Sequence, residues 1–245
     1  NIPFVGASVL GSAVAMDKDV MKRLLRDAEI PIPAFLAVTR SQRSELSYGA
    51  VADQLGVPFF VKPANLGSSV GISKVHEEGE FLPAIADAFA YDDKILIEEN
   101  IPGREIECSV LGNEDPIASG LGEIIPKHEF YSYEAKYLDE NGAILKIPAE
   151  LPEDVVKQVQ DVAIRSFKVL CCEGMARVDM FLTEKNEVVL NELNTIPGFT
   201  RISMYPKLWE ASGMSYTELV DRLIQLAIDR YEREQKLKTS YDDEG

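Results

Sequence analysis

The stretch FVKPANLGSSVGISKV, residues 60–75, decides how the chain is read. Phe60-Val61-Lys62-Pro63 is an apolar run that ends in a cation, Gly67-Ser68-Ser69 is a turn of small residues, and Val70 to Val75 returns as a second extended run. PFFVKP therefore reads as a buried strand with VGISKV as its hairpin partner. Taken alone, a glycine-serine turn is an ordinary hairpin and Lys62 is a lysine snorkelling from a strand end. What the turn and the lysine are for depends on the rest of the chain.

The 245 residues are 46% hydrophobic and 27% charged, a globular composition with length for one large domain or two small ones. Twenty-five basic residues against 41 acidic ones give a net charge of −16. That field repels nucleic acid and anionic membrane, so neither is an expected partner, and any anionic ligand must be held by local cations. Cys108, Cys171 and Cys172 form neither a disulfide framework nor a zinc or CxxC spacing, which points to a reducing compartment, the cytoplasm. The weakly polar run FVGASVLGSAVAM, residues 4–16, is too short to span a bilayer.

Helical spacing of Val20, Met21, Leu24, Leu25 and Ala28 predicts an amphipathic helix with Asp17 as N-cap and Pro31 beyond its end. AFLAVT (34–39) is extended, YGAVADQL (48–55) is a helix stopped by Gly56, EFLPAIADAFAY (80–91) is a helix and KILIEE (94–99) a strand. These make a first α+β unit, residues 17–102, preceded by residues 1–16. IPGR (101–104) reads as a hinge into a second unit, residues 103–235. Its strand REIECSVLG alternates Ile106, Cys108 and Val110 against Glu105, Glu107 and Ser109. PIASGLGEII (116–125) is another strand, while residues 126–142 have no clean period and read as a long functional loop. The helix PEDVVKQVQDVAIRSFKVLCC (152–172) and the helix SYTELVDRLIQLAIDRYERE (215–234), opened by the capping box Ser215 to Glu218, flank the strands MARVDMFL (175–182) and EVVLNELN (187–194). A polar tail, residues 236–245, follows.

Those two strands gather the chemistry. With Thr183 to Asn186 as the turn and Leu182 paired with Glu187, the ladder is expected to set Arg177 opposite Glu192 and Asp179 opposite Leu190. Arg177, Asp179, Glu192 and Asn194 then share one face, with opposed Cβ atoms about 5 Å apart. Oxygen ligands of this kind suit Mg²⁺ or Mn²⁺, although a solvated hairpin face alternates in the same way. NTIPGFT, residues 194–200, places a Pro-Gly turn just beyond, where backbone N–H groups can point at developing negative charge.

Six segments now stand in order over nearly the whole chain: MDKDVMKRLL, FVKPANLGSSVGISKV, GREIECSVLG, EFYSYEAKY, GMARVDMFL and NELNTIPGFT. With them the chain resembles an ATP-grasp enzyme of the D-alanine–D-alanine ligase family. The resemblance implies an α+β fold in which two α+β subdomains with antiparallel sheets sandwich ATP. It implies that Lys18 and Lys62 reach the phosphates while Gly67-Ser68-Ser69 closes over them. Glu98, Glu99 and Ile101 would receive adenine, largely through backbone groups, and Glu105 the ribose hydroxyls. Asp179, Glu192 and Asn194 would hold two Mg²⁺ or Mn²⁺ ions, with Glu192 bridging. Arg177 would stabilise the transferring phosphoryl group and, with the Gly198 N–H, the later oxyanion. EFYSYEAKY resembles a covering loop in which Lys136 reaches the γ-phosphate and Tyr137 closes against Ser68. Ser203 and Met204 match residues that bind the carboxylate of a second D-alanine, and Ser203 suits a helix N-cap as well.

The implied activity is ATP-dependent joining of two D-alanines through an acyl phosphate, for peptidoglycan. D-Alanine and ATP are the implied partners, and the full-length protein is expected to be a homodimer. The intact EAKY favours an amine acceptor over D-lactate. The family's additional N-terminal α/β domain, about 100 residues, is missing here, and NIPFVGASVLGSAVAM resembles its exit segment. The competing readings are another ATP-grasp carboxylate-amine ligase, a D-alanine–D-lactate type of enzyme, a nucleotide-binding module without turnover, and a structural fragment.

Overall fold

The computed structural model describes residues 2–126 and 143–238, and two antiparallel sheets organise them. β1 (Phe35–Thr39), β2 (Phe59–Pro63), β3 (Ser73–Val75) and β4 (Lys94–Glu99) form the first sheet in the order β1-β4-β2-β3. The β2–β3 hairpin forms as expected, pairing Phe60 with Lys74 and Val61 with Ser73. Strand alternation then separates two faces. Phe59, Val61, Ile95 and Ile97 share a core with Phe81, Ile85 and Phe89 of α4 (Glu78–Tyr91) and with Val51 and Leu55 of α3 (Tyr48–Leu55). Phe60, Lys62, Leu96 and Glu98 take the opposite face.

The local signals hold. Gly56, at φ 76°, ends α3. Asp17 Oδ1 accepts from the N–H groups of Asp19 and Val20 at 3.0 and 3.1 Å and caps α2 (Lys18–Asp27). The buried stripe of α2 differs from the expected one. Met21 and Leu25 are buried, but Val20 and Leu24 are each 38% exposed, whereas Lys22 is 0% and Lys18 7% exposed. Residues 18, 21, 22 and 25 also follow helical spacing, and this face wins because a buried carboxylate, Glu98, waits opposite its lysines.

The second sheet runs β7-β6-β5-β8-β9: β5 (Arg104–Gly112), β6 (Ile117–Pro126), β7 (Ala143–Lys146), β8 (Gly174–Leu182) and β9 (Val188–Asn194). As the alternation of β5 predicts, Ile106, Cys108 and Val110 enter a core with Ala176, Val178 and Met180 of β8 and with α5 (Glu153–Val169). Met21 and Leu25 of α2 enter this same core, so α2 packs beneath the second sheet. Part of the other face is covered by α6 (Met204–Ala211) and α7 (Tyr216–Glu234), through Tyr205, Trp209, Leu219 and Leu223. The Ser215 to Glu218 capping box of α7 is present. At the hinge, a Cβ on Gly103 would stand 2.5 Å from the Leu182 carbonyl oxygen, so only glycine lets the link run against β8. Three elements carry no expectation from the sequence: α1 (Val9–Met16), the 3₁₀ turn Arg40–Glu45, and β7.

Candidate active site

β8 and β9 pair Leu182 with Val188 instead of Glu187, and the ladder changes register between Asp179 and Met180. Thr183 N–H donates to the Glu187 carbonyl at 3.0 Å, so the turn takes in Glu187. A one-residue slip would turn every β9 side chain to the other face. A β-bulge cancels it: Met180 pairs with Leu190, Asp179 pairs with Glu192, and Asn191 is the extra residue between. The true pairs are therefore Arg177 with Asn194 and Asp179 with Glu192, and the four side chains still share a face.

From the other side, β5 pairs Glu107 with Asp179, so Glu107, Asp179 and Glu192 form one carboxylate row across three strands. Arg177 neutralises part of it. Its Nε and Nη2 donate to Asp179 Oδ1 and Oδ2 at 2.7 Å each, and Nε stands 3.1 Å from Glu107 Oε2. Burial opposes the guanidinium charge, yet Asp179 and Glu107 hold its pKa above the usual value. Asn194 Nδ2 donates to Asp179 Oδ2 at 3.0 Å. Among the described residues no group of three or more His, Cys, Asp or Glu side chains is disposed as a ready metal cage. Two carboxylates and an amide nonetheless present hard oxygen donors on one face, a set that fits Mg²⁺ or Mn²⁺ once Arg177 yields a share of Asp179.

The first sheet carries the opposite charge. Glu98, 3% exposed, receives Lys62 Nζ on Oε1 and Lys22 Nζ on Oε2, both at 2.7 Å. Lys22 also donates to the Asn191 carbonyl at 3.4 Å, and Lys18 Nζ donates to the Leu66 carbonyl at 2.5 Å. Burial raises the Glu98 pKa, but Lys22 and Lys62 outweigh it and hold the carboxyl below its usual range. Burial lowers Lys18, against the attraction of Glu192. It pushes Lys22 down to about 8, against the attraction of Glu98.

A cavity of about 370 Å³ opens between the two sheets. Lys18, Lys62 and the turn Gly67-Ser68-Ser69 line one side of it. Glu98 lines it beside Lys62, Glu99, Ile101 and Glu105 continue the lining, and Glu192 reaches it from β9. Ser68 and Ser69 both adopt left-handed backbone, φ 56° and 59°, and Gly71 follows at φ 67°, which folds the turn tightly over the cavity mouth. Glu99 is pinned by the Ala34 N–H, which donates to its Oε1 at 2.7 Å. A larger hollow, about 680 Å³ between the β5–β6 turn and α7, contains none of the expected site residues.

Ser203 is the N-cap residue of α6, but its Oγ accepts from Thr200 N–H at 3.0 Å instead of capping the helix. Gly198 lies alongside, where an added Cβ would come 3.0 Å from Ser203 Oγ. The Met204 side chain packs with Ile124 and Leu208, so the backbone is the part of Met204 left for a ligand. Lys136 and Tyr137 lie outside the described residues. No motif marks Lys22 or Glu107, the two buried groups that complete the charge pattern; helical register with Lys18 and strand alternation with Glu105 are the signals that point to them.

Residues 24–225 match the family model described as D-ala D-ala ligase C-terminus. The chain belongs to this family. A D-alanine–D-alanine ligase of Shouchella clausii is 60% identical over 240 residues, 98% of this chain and 65% of that protein. The D-alanine–D-alanine ligase structure from Coxiella burnetii superimposes with a TM-score of 0.86 at 46% identity, covering 96% of this chain and 63% of that one. The ligase from Bacillus anthracis complexed with ATP gives a TM-score of 0.80 at 29% identity, covering 95% and 72%. The two-sheet α+β architecture is thus that of the ATP-grasp D-alanine ligases. The chain spans about two thirds of the length of the curated relatives it matches. No helix among the described residues is long and apolar enough to cross a membrane.

Proposed function

We propose that the protein is an ATP-dependent D-alanine–D-alanine ligase working in the cytoplasm. The observation that carries this reading is the cavity between the sheets, lined by Lys18 and Lys62 on one side and reached by Glu192 on the other, with the Lys22–Glu98 ion pair behind the lysines and the Glu107–Asp179 row continuing from Glu192. Lys18 and Lys62 bind the phosphates, and the Gly67-Ser68-Ser69 turn covers them with backbone N–H groups. Glu98, Glu99 and Ile101 border adenine, and Glu105 accepts from the ribose hydroxyls. A carboxylate oxygen of the first D-alanine attacks the γ-phosphorus of ATP. The bond to the β–γ bridging oxygen breaks, ADP leaves and D-alanyl phosphate forms. The amino nitrogen of the second D-alanine attacks the acyl carbon, and Arg177 with the Gly198 N–H stabilises the oxyanion. The acyl C–O bond then breaks, phosphate leaves, and the nitrogen loses its proton to give the peptide bond. Ser203 and the Met204 backbone receive the carboxylate of the second D-alanine, while Lys136 and Tyr137 belong to the covering loop. Asp179, Glu192 and Asn194 would hold Mg²⁺ or Mn²⁺, which when bound neutralises phosphate charge.

Phosphate release from MgATP is the test. Release should rise on adding D-alanine and yield a product with the mass of the dipeptide, and D-lactate should not replace the second D-alanine at neutral pH. Release indifferent to D-alanine, or ATP binding without release, would overturn the ligase reading.

A further inference from the structure

Lys22 has no part in the reaction as written, yet its side chain is fully buried between the two sheets. Its ammonium reaches Glu98 Oε2 on β4 at 2.7 Å and the Asn191 carbonyl on β9 at 3.4 Å. Methionine of similar length would avoid the desolvation that a buried ammonium suffers. The position therefore demands a reason beyond packing.

The charges around Glu98 supply one. Its Oε1 takes Lys62, a lysine that lines the cavity, at 2.7 Å, and its Oε2 pairs with Lys22. With both lysines present the carboxylate is shared, and Lys18, Lys22 and Lys62 exceed Glu98 by two positive charges. Without Lys22, Glu98 would neutralise Lys62 alone and draw it from the cavity. The Asn191 contact lies at the bulge that brings Glu192 opposite Asp179, so one ammonium spans the two walls.

We propose that Lys22 is a positioning residue for the nucleotide phosphates: it ion-pairs with Oε2 of Glu98, leaving Lys62 its charge for the ligand, and ties Glu98 to the Asn191 bulge. This rests on the nucleotide reading above. The test compares binding of ATP and of adenosine by calorimetry in the wild type, Lys22→Met, Lys22→Gln, Lys62→Met, and the Lys22→Met/Lys62→Met pair. Lys22→Met and Lys22→Gln should each weaken ATP about tenfold and adenosine less than about twofold. Because Lys22 acts through Lys62, the double variant should bind ATP within about twofold of Lys62→Met alone. Parallel loss of ATP and adenosine would mark a merely structural residue, and full additivity an independent one; either overturns the proposal. So does unchanged ATP binding in Lys22→Gln, which keeps hydrogen bonds without the charge and decides alone if Lys22→Met fails to fold. A wild type that binds ATP no better than adenosine refutes the nucleotide reading itself; a wild type with that preference, indifferent to Lys22, refutes only this inference.

Discussion

Two charge clusters meet at the cavity, the first lining it through Lys18, Lys62 and Glu98 and the second through Glu192, and they are built from the same materials in opposite proportion. On the first, Lys18, Lys22 and Lys62 surround one acid, Glu98; on the second, Glu107, Asp179 and Glu192 surround one base, Arg177. The first wall can hold an anion directly. The second can do so only after a cation has been added to it. A net charge of −16 over the chain hides both facts, because local sign is set by which residues alternation and helical register bring to one face. Each cluster also has a hub: Glu98 in the first and Arg177 in the second hold their opposites apart.

Removing a hub should have the largest effect. Glu98→Leu leaves Lys22 and Lys62 buried without their shared carboxylate, and should lower unfolding free energy by about 3–5 kcal/mol in urea denaturation. Arg177→Leu should be milder, since its side chain is 22% exposed against 4% for Glu98. A loss below about 1 kcal/mol at Glu98 would mean that the lysines rearrange into solvent and that the first wall is not a fixed charge cluster.

The difference between the walls also separates what the sequence reveals from what it conceals. Caps and alternation are local, and Asp17, Gly56, the Ser215 to Glu218 box and the inward face of β5 all read directly. The face of α2 does not, because Val20 and Leu24 are apolar and the buried pair Lys18 and Lys22 is charged. Distant groups make that choice favourable: Glu98 and the Asn191 carbonyl for Lys22, Glu192 and the Leu66 carbonyl for Lys18. The bulge at Asn191 is hidden for a similar reason: it leaves the apolar alternation on either side intact, so the expected hairpin face is kept while the cross-strand pairs differ from those a regular ladder gives. β7 and α1 are short, and their burial is decided by neighbours instead of by period.

A second change tests whether the acidic wall works through a cation. The wild type should bind ATP about tenfold more tightly with Mg²⁺ than with chelator, and Asp179→Asn should cut that gain below about threefold while leaving metal-free ATP binding unaltered. An undiminished gain would move the metal site elsewhere.

Glu107 offers the finest discrimination. It is 5% exposed, pairs with Asp179 across the ladder and approaches the Nε of Arg177 at 3.1 Å. When a cation takes Asp179, Arg177 must give up part of its bidentate contact, and Glu107 is the partner that remains to it. Glu107→Gln acts twice in the same direction: the wall falls from two excess negative charges to one, and Arg177 leans harder on Asp179. Both effects weaken a cation. Mn²⁺ affinity without nucleotide, followed by electron paramagnetic resonance, should fall about threefold, near 0.7 kcal/mol, because a tenfold change is about 1.4 kcal/mol. Tighter or unchanged Mn²⁺ binding would show that Glu107 only packs beside the site, and that the coordinating oxygens, not the charge of the wall, decide where the cation sits.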